Sequence, residues 1–163
     1  MNEEDAREEL ASMGVEEGAT VNLWHDDIRK PTDDWVWART NQQAKAVLTL
    51  CEVQMASLDH DLGLDGHDPA EYESPELMIG QGEETGLDLA EWMAETGRCP
   101  EYVRIHSYNP YGASRMAATL KETKGDREFP PLVIQRPFEL GWVAVDDPDL
   151  KSALSLIEGR KTE

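Results

Sequence analysis

No run of this 163-residue chain is apolar for long enough to cross a bilayer, which excludes a transmembrane helix and leaves no basis for membrane attachment. Nothing at the start resembles a secretory signal, so the chain reads as soluble and cytoplasmic. Cysteine occurs only twice, at Cys51 and Cys99, without Cys-x-x-Cys spacing. That removes a thiolate metal site, and the pair reads as two reduced small hydrophobes. Positive charge is also scarce: six lysines and nine arginines face 34 acidic residues, for a net charge of −19. Such a surface repels a nucleic-acid backbone and excludes extended DNA binding, although a local site for one phosphate, screened by a cation, stays open. An acid surplus with little lysine suits concentrated salt, pointing to a halophilic host or to a virus of one; an ordinary acidic cytoplasmic protein has the same composition.

What remains is ordinary for a globular chain. At 39% hydrophobic, the sequence can bury one core, and the length suits one domain with short appendages. Residues 2–12, "NEEDAREELAS", predict a solvent-facing helix or frayed tail within an acidic extension over 1–19. Strand candidates follow at "TVNLW" (20–24), "WVWAR" (35–39), "VQMASL" (53–58), "EYVRIHS" (101–107), "PLVIQRPF" and "GWVAV". Helices are expected after Thr40 ("NQQAKAVLTLCE"), at "GLDLAEWMAETG" (86–97) and at "ASRMAATLKET", the last preceded by an "NPYG" turn. An amphipathic helix from near Asp149 closes the chain within a 146–163 tail. Between Gly63 and Gly86 runs an acidic, aperiodic stretch, long for an internal connection.

Strands interleaved with helices favour an α/β fold with a mostly parallel sheet. In such sheets ligands bind beyond the carboxyl ends of adjacent strands. Three strand candidates run into chemically loaded residues there: His25-Asp26-Asp27, Asp59-His60-Asp61, and His106-Ser107 followed by Asn109. If the strands are parallel neighbours, these ends share one crevice.

The same segments, "DDIRKP", "SLDHDLG", "TGLDLAEW" and "HSYNPYGASRM", together resemble the receiver-like family associated with cyclic-phosphate processing, over roughly residues 20–120. The resemblance implies a three-layer, flavodoxin-like receiver domain over 20–145, with a mostly parallel sheet and helices on both faces. It implies a site of Asp26, Asp27, Asp59, His60, Asp61, His106, Ser107 and Asn109, with Arg29 inside the motif. In ordinary receivers the acidic pair and the aspartate ending the third strand hold magnesium; here these are Asp26, Asp27 and Asp59, with Asp61 beside them. Three departures stand out. Arg136 of "RPF" replaces the lysine of the usual lysine-proline-phenylalanine segment. About ten residues separate the first two strands, too few for the usual helix. The acidic insertion over 64–84 exceeds the family's needs and suits a lid or a partner-binding addition, as does the C-terminal helix.

Carboxylates at strand ends suit magnesium, and histidines beside them extend the choice to manganese or another transition ion. A divalent ion there can polarise a phosphoryl oxygen and activate water. Histidine titrates near neutrality and suits protonation of a leaving alkoxide. The expected function is therefore a metal-assisted phosphoesterase for a cyclic phosphate (a cyclic nucleotide or a 2′,3′-cyclic phosphate end) or another small phosphorylated ligand. His60, His106 and Asp59 are the catalytic candidates, and Arg29, Ser107 and Asn109 the candidates for binding substrate. Plainer roles stay open: Asp26 and Asp27 capping a loop, His60 locking its turn, His106 as a core histidine, and Ser107 and Asn109 capping a helix. His25 stands where the motif is usually apolar and reads as accessory, His67 as exposed, and the tryptophans as packing. Two rival functions remain: a phosphoacceptor signalling module with Asp59 as acceptor, and a non-catalytic interaction or virion component.

Overall fold

Alternating apolar residues in short runs build five parallel strands, here seen in a computed structural model that describes residues 1–60, 85–107, 109–123, 125, 130–135 and 155. They are β1 (Thr20–His25), β2 (Val36–Ala38), β3 (Glu52–Leu58), β4 (Tyr102–Ile105) and β5 (Leu132–Gln135), in the spatial order β2-β1-β3-β4-β5. Among the described residues four helices accompany them: α1 (Glu3–Met13), α2 (Asn41–Leu50), α3 (Gly86–Thr96) and α4 (Pro110–Lys121). This is the receiver-like α/β fold expected from the sequence. Among the described residues no helix is long and apolar enough to cross a membrane. Neither Cys51 nor Cys99 is part of a disulfide.

Strand register decides where the chemistry falls. His25 pairs with Leu58 and Leu58 with Ile105, so the next residues, Asp26, Asp59 and His106, leave the sheet side by side. Backbone bonds confirm the alignment, with Asp59 N–H donating to His25 C=O (3.0 Å) and His106 N–H to Leu58 C=O (2.9 Å).

Side chains alternate across the sheet, as the two-residue strand period requires. Leu23, Ala56, Leu58, Val103 and Ile105 join one apolar cluster with Val47 of α2, Met93 of α3 and Met116 of α4. The intervening Trp24, Met55 and Tyr102 form a second cluster with Trp35. Ala6 and Leu10, one helical turn apart, are buried and carry α1 into the first cluster, with α1 packed on α2. Of the solvent-facing helix or frayed tail expected for 2–12, the helix is found, and it is docked rather than free because Ala6 and Leu10 share a face.

Helix ends follow their capping residues. Thr40 accepts from Gln43 N–H to open α2. Thr85 and Asp88 form a reciprocal capping box at α3, which ends at Gly97 with φ 74°. The helix α4 begins at Pro110, earlier than the "NPYG" turn predicts. Asn109 caps it through Gly112 N–H (2.9 Å), and proline suits the first helical position because its fixed φ is helical and no N–H is needed there.

The connection from β1 to β2, residues 26–35, contains no helix, as its length predicts. Indoles hold it instead. Trp24 Nε1–H donates to Arg29 C=O and Trp37 Nε1–H to Asp26 C=O, each at 2.7 Å, and Trp35 meets Trp24 edge-on at 5.9 Å. Several expected features lie outside the described residues: Asp61, His67 and the acidic insertion, Arg136 to Phe138, "GWVAV" with Trp142, and the C-terminal helix apart from Ser155.

Candidate functional site

Asp26, the first residue beyond β1, is almost wholly buried and accepts four hydrogen bonds. Its Oδ1 takes the backbone N–H groups of Ile28 and Arg29, both at 2.9 Å. Its Oδ2 takes Arg29 Nη1 at 3.0 Å and His106 Nε2 at 3.1 Å. Burial alone raises the pKa of this carboxyl. The hydrogen bond from His106, then those of the two N–H groups, outweigh burial and hold the pKa below the ordinary carboxylate value.

Arg29 also reaches Asp59, with Nη1 3.7 Å from Oδ2. Asp26, Asp27 and Asp59 each present a carboxylate oxygen, and these three oxygens lie within 4.8 Å of one another. The cluster can hold a metal ion, and its oxygen-only donors match magnesium or manganese in type. Asp27 is half-buried, and its backbone carbonyl is clamped by Arg39 through Nε (3.0 Å) and Nη2 (2.8 Å).

His106 lies on the tryptophan side of the sheet, stacked on Trp24 with ring centres 4.0 Å apart and planes 11° apart. Its Nδ1 is 2.6 Å from Ser57 Oγ. Burial, outweighing the hydrogen bond and charge of Asp26, lowers its pKa and keeps it neutral. An ionised carboxylate only accepts, so the proton resides on Nε2, and Ser57 donates to Nδ1. Serine, imidazole and carboxylate thus form one directed chain from β3 through β4 to β1.

His60 is enclosed by two helix starts. Its carbonyl accepts from Gly86 N–H at 3.0 Å, and its Nδ1 is 3.3 Å from Asn109 Nδ2. Because Asn109 Oδ1 is committed to Gly112 N–H, the amide nitrogen faces the ring, leaving the His60 proton on Nε2. A side-chain Cβ at Gly112 collides with the His60 ring, and one at Gly86 with the Asp59 carbonyl. Both positions therefore need glycine for close approach. Ser107 Oγ accepts from Asn109 N–H at 3.0 Å, so Ser107 and Asn109 together shape the start of α4.

His25 points to the opposite, helix-packed side. Its Nε2 is 2.9 Å from Asn41 Oδ1, and Asn41 Nδ2 donates to Thr85 C=O at 3.0 Å. Burial lowers the His25 pKa to about 4, against the raising effect of that hydrogen bond. It ties β1 to the starts of α2 and α3.

The structure thus brings Asp26, Asp27, Arg29, Asp59 and His106 into one contact network, and His60, Ser107 and Asn109 into a second at the start of α4. Asp61 lies outside the described residues. Sequence reading missed Ser57, Asn41 and Thr85. Ser57 looks like filler inside an apolar strand, and its partner stands 49 positions away. Only Thr85 carried a local signal, the Thr-x-x-Asp pattern of a capping box.

Neither the curated proteins nor the solved structures include a match to this chain. Among protein families, the cyclic-phosphate processing receiver domain matches residues 21–122, from β1 to the residue after α4. That span holds every described residue of both networks and well over half of the sequence, so the chain belongs to the cyclic-phosphate processing receiver domain family.

Proposed function

We propose that this domain is a metal-assisted phosphoesterase that opens a cyclic phosphate, either in a cyclic nucleotide or at a 2′,3′-cyclic phosphate end, or acts on another small phosphorylated ligand. The observation that carries this reading is the carboxylate trio of Asp26, Asp27 and Asp59, within 4.8 Å, with the Arg29 guanidinium bridging Asp26 and Asp59. These carboxylates, with Asp61 beside them in sequence, would hold magnesium or manganese. When bound, such an ion polarises a phosphoryl oxygen and lowers the pKa of its water.

The chain's own groups do the rest. Arg29 takes phosphate oxygens through its planar fork. Asn109 and Ser107 orient the phosphate beside α4, whose N-terminal dipole favours an anion. Ring opening adds water across one P–O bond: its hydroxide goes to phosphorus and its proton to the departing alkoxide, and His60 is assigned to assist that transfer by donating an Nε2–H hydrogen bond to the leaving oxygen. His106 acts through Asp26, because both of its ring nitrogens are engaged, and keeps that carboxylate ionised and aimed.

The test is incubation with manganese and a nucleoside 2′,3′-cyclic monophosphate, followed by phosphorus NMR. A ring-opened monoester is expected, with the rate falling at least about tenfold in Asp59→Asn, the lower range for disturbing a metal site. No product from any cyclic phosphate or from a small phosphomonoester overturns the proposal. A stable phosphoryl group gained from a small phosphodonor and lost in Asp59→Asn then assigns a signalling module. A folded protein that binds no divalent ion by calorimetry assigns a non-catalytic interaction role.

A further inference from the structure

Asp26 is saturated. A carboxylate offers about four lone-pair positions, and all four here are met by donors: two backbone N–H groups, the His106 ring and Arg29. A divalent ion can take an Asp26 oxygen only if one donor leaves. The N–H groups are fixed by the β1–β2 connection, and the His106 ring is locked between Ser57 and Trp24. Arg29 is the one long side chain among the four, with 20% of its side chain exposed and its Nη1 shared between Asp26 and Asp59.

We infer that Arg29 is an internal competitor of the metal: it fills the cation position while the site is empty and is handed to the ligand's phosphate when the metal enters. This rests on the metal-dependent reading above and adds a coupling to it. Metal alone must displace a guanidinium from two carboxylates. Metal arriving with a phosphate gives that guanidinium a new anionic partner, so each of the two strengthens the other's binding. By thermodynamic reciprocity the enhancement is equal in both directions. The exchange also selects for ligands bearing an accessible anionic oxygen, since a neutral ligand gives Arg29 nowhere to go.

Calorimetric titration with manganese, with and without inorganic phosphate, tests this on the whole protein. In the wild type, saturating phosphate tightens manganese binding by at least about fivefold, the lower range of site–site coupling. In Arg29→Met, manganese alone binds at least about fivefold more tightly than in the wild type, and the phosphate enhancement disappears. Arg29→Lys keeps the charge, and therefore keeps weak manganese binding without phosphate. Thermal unfolding of each variant establishes that it is folded; Arg29→Gln, which retains hydrogen-bonding capacity, replaces the methionine variant if that one is not. Equal or weaker manganese binding after removal of Arg29, or an undiminished phosphate effect, overturns the exchange while leaving the metal site standing. Absence of manganese binding in wild type and variants alike overturns the metal reading, and the exchange with it.

Discussion

The two sides of the sheet are made from the same strands, yet they solve different problems. On one side Leu23, Ala56, Leu58, Val103 and Ile105 meet helices in an apolar layer. On the other, Trp24, Met55 and Tyr102 share the strands with Ser57, Arg104 and His106, all buried. Each side ends in a neutral buried histidine at the carboxyl edge, His25 toward the helices and His106 toward the tryptophans. His25 has amide company and fastens helices; its Nδ1 has no hydrogen-bond partner among the described residues. His106 has a serine and a carboxylate, and it fastens the site. The apolar layer therefore sets how stable the domain is, and the aromatic side sets how the acidic centre is held.

The sharpest way to break this division is to damage the apolar layer alone. Met93→Ala, in a fully buried position on α3, is expected to cost about 2–5 kcal/mol in urea unfolding. The affinity of the folded fraction for manganese should be unchanged. A change in that affinity comparable to the stability loss would show that the two sides are not separable.

Acid is the next largest probe. The folded pKa of His25 is depressed to about 4 from 6.5, so between those values the unfolded chain binds more protons than the folded one. Stability consequently falls as pH drops through that window, by about 3 kcal/mol for His25 alone. His106, also depressed, adds a loss of the same sign. Asp26, depressed from 3.8, contributes stability that is present above that value and is lost only at lower pH, as the folded group takes its proton. Urea midpoints measured from pH 7 to 4.5 that stay flat would contradict both histidine assignments.

Gly112→Ala sharpens the comparison at the start of α4. The new methyl overlaps the His60 ring, and overpacking of this kind costs about 2 kcal/mol. The His60 ring resonances should move while those of His106 stay in place. Smallest in energy is Ser57→Ala, at about 1 kcal/mol for a lost hydrogen bond. Its signature is spectroscopic: nitrogen NMR should show the His106 Nδ1 resonance shifting as it loses its donor, with the Nε2–H kept by Asp26 and His25 unaffected. An unchanged His106 spectrum would remove Ser57 from the chain that aims Asp26.

Much of this was legible because local rules suffice for it. The runs "TVNLW", "VQMASL" and "EYVRIHS" lead into polar residues, and the three site segments lie at or beside their ends, although β4 stops at Ile105, before the expected His106 and Ser107. Thr40 and Gly97 announced helix ends by chemistry that acts within a single turn. The start of α4 was misjudged because Asn-Pro is equally good at opening a turn and at opening a helix. Packing of the following residues decides between them, and Ala113, Met116 and Ala117 are buried. The tethers of the site were illegible for a different reason. Ser57 to His106, His25 to Asn41, and Asn41 to Thr85 are contacts between residues far apart in sequence, and only the sheet order brings them together. Saturation of Asp26 was likewise invisible, because it depends on counting donors from the β1–β2 connection and from the distant end of β4.

The missing helix between β1 and β2 also bears on how the domain assembles. A ten-residue span brings Leu23 beside Val36 and Trp24 beside Trp37, so this pairing is local in sequence. Closing so short a span costs little chain entropy, whereas β3 and β4 must first bring together residues more than forty positions apart. The edge that carries Asp26 and Arg29 is therefore the part of the sheet with the smallest entropic barrier to form, and it can template the rest rather than wait for it.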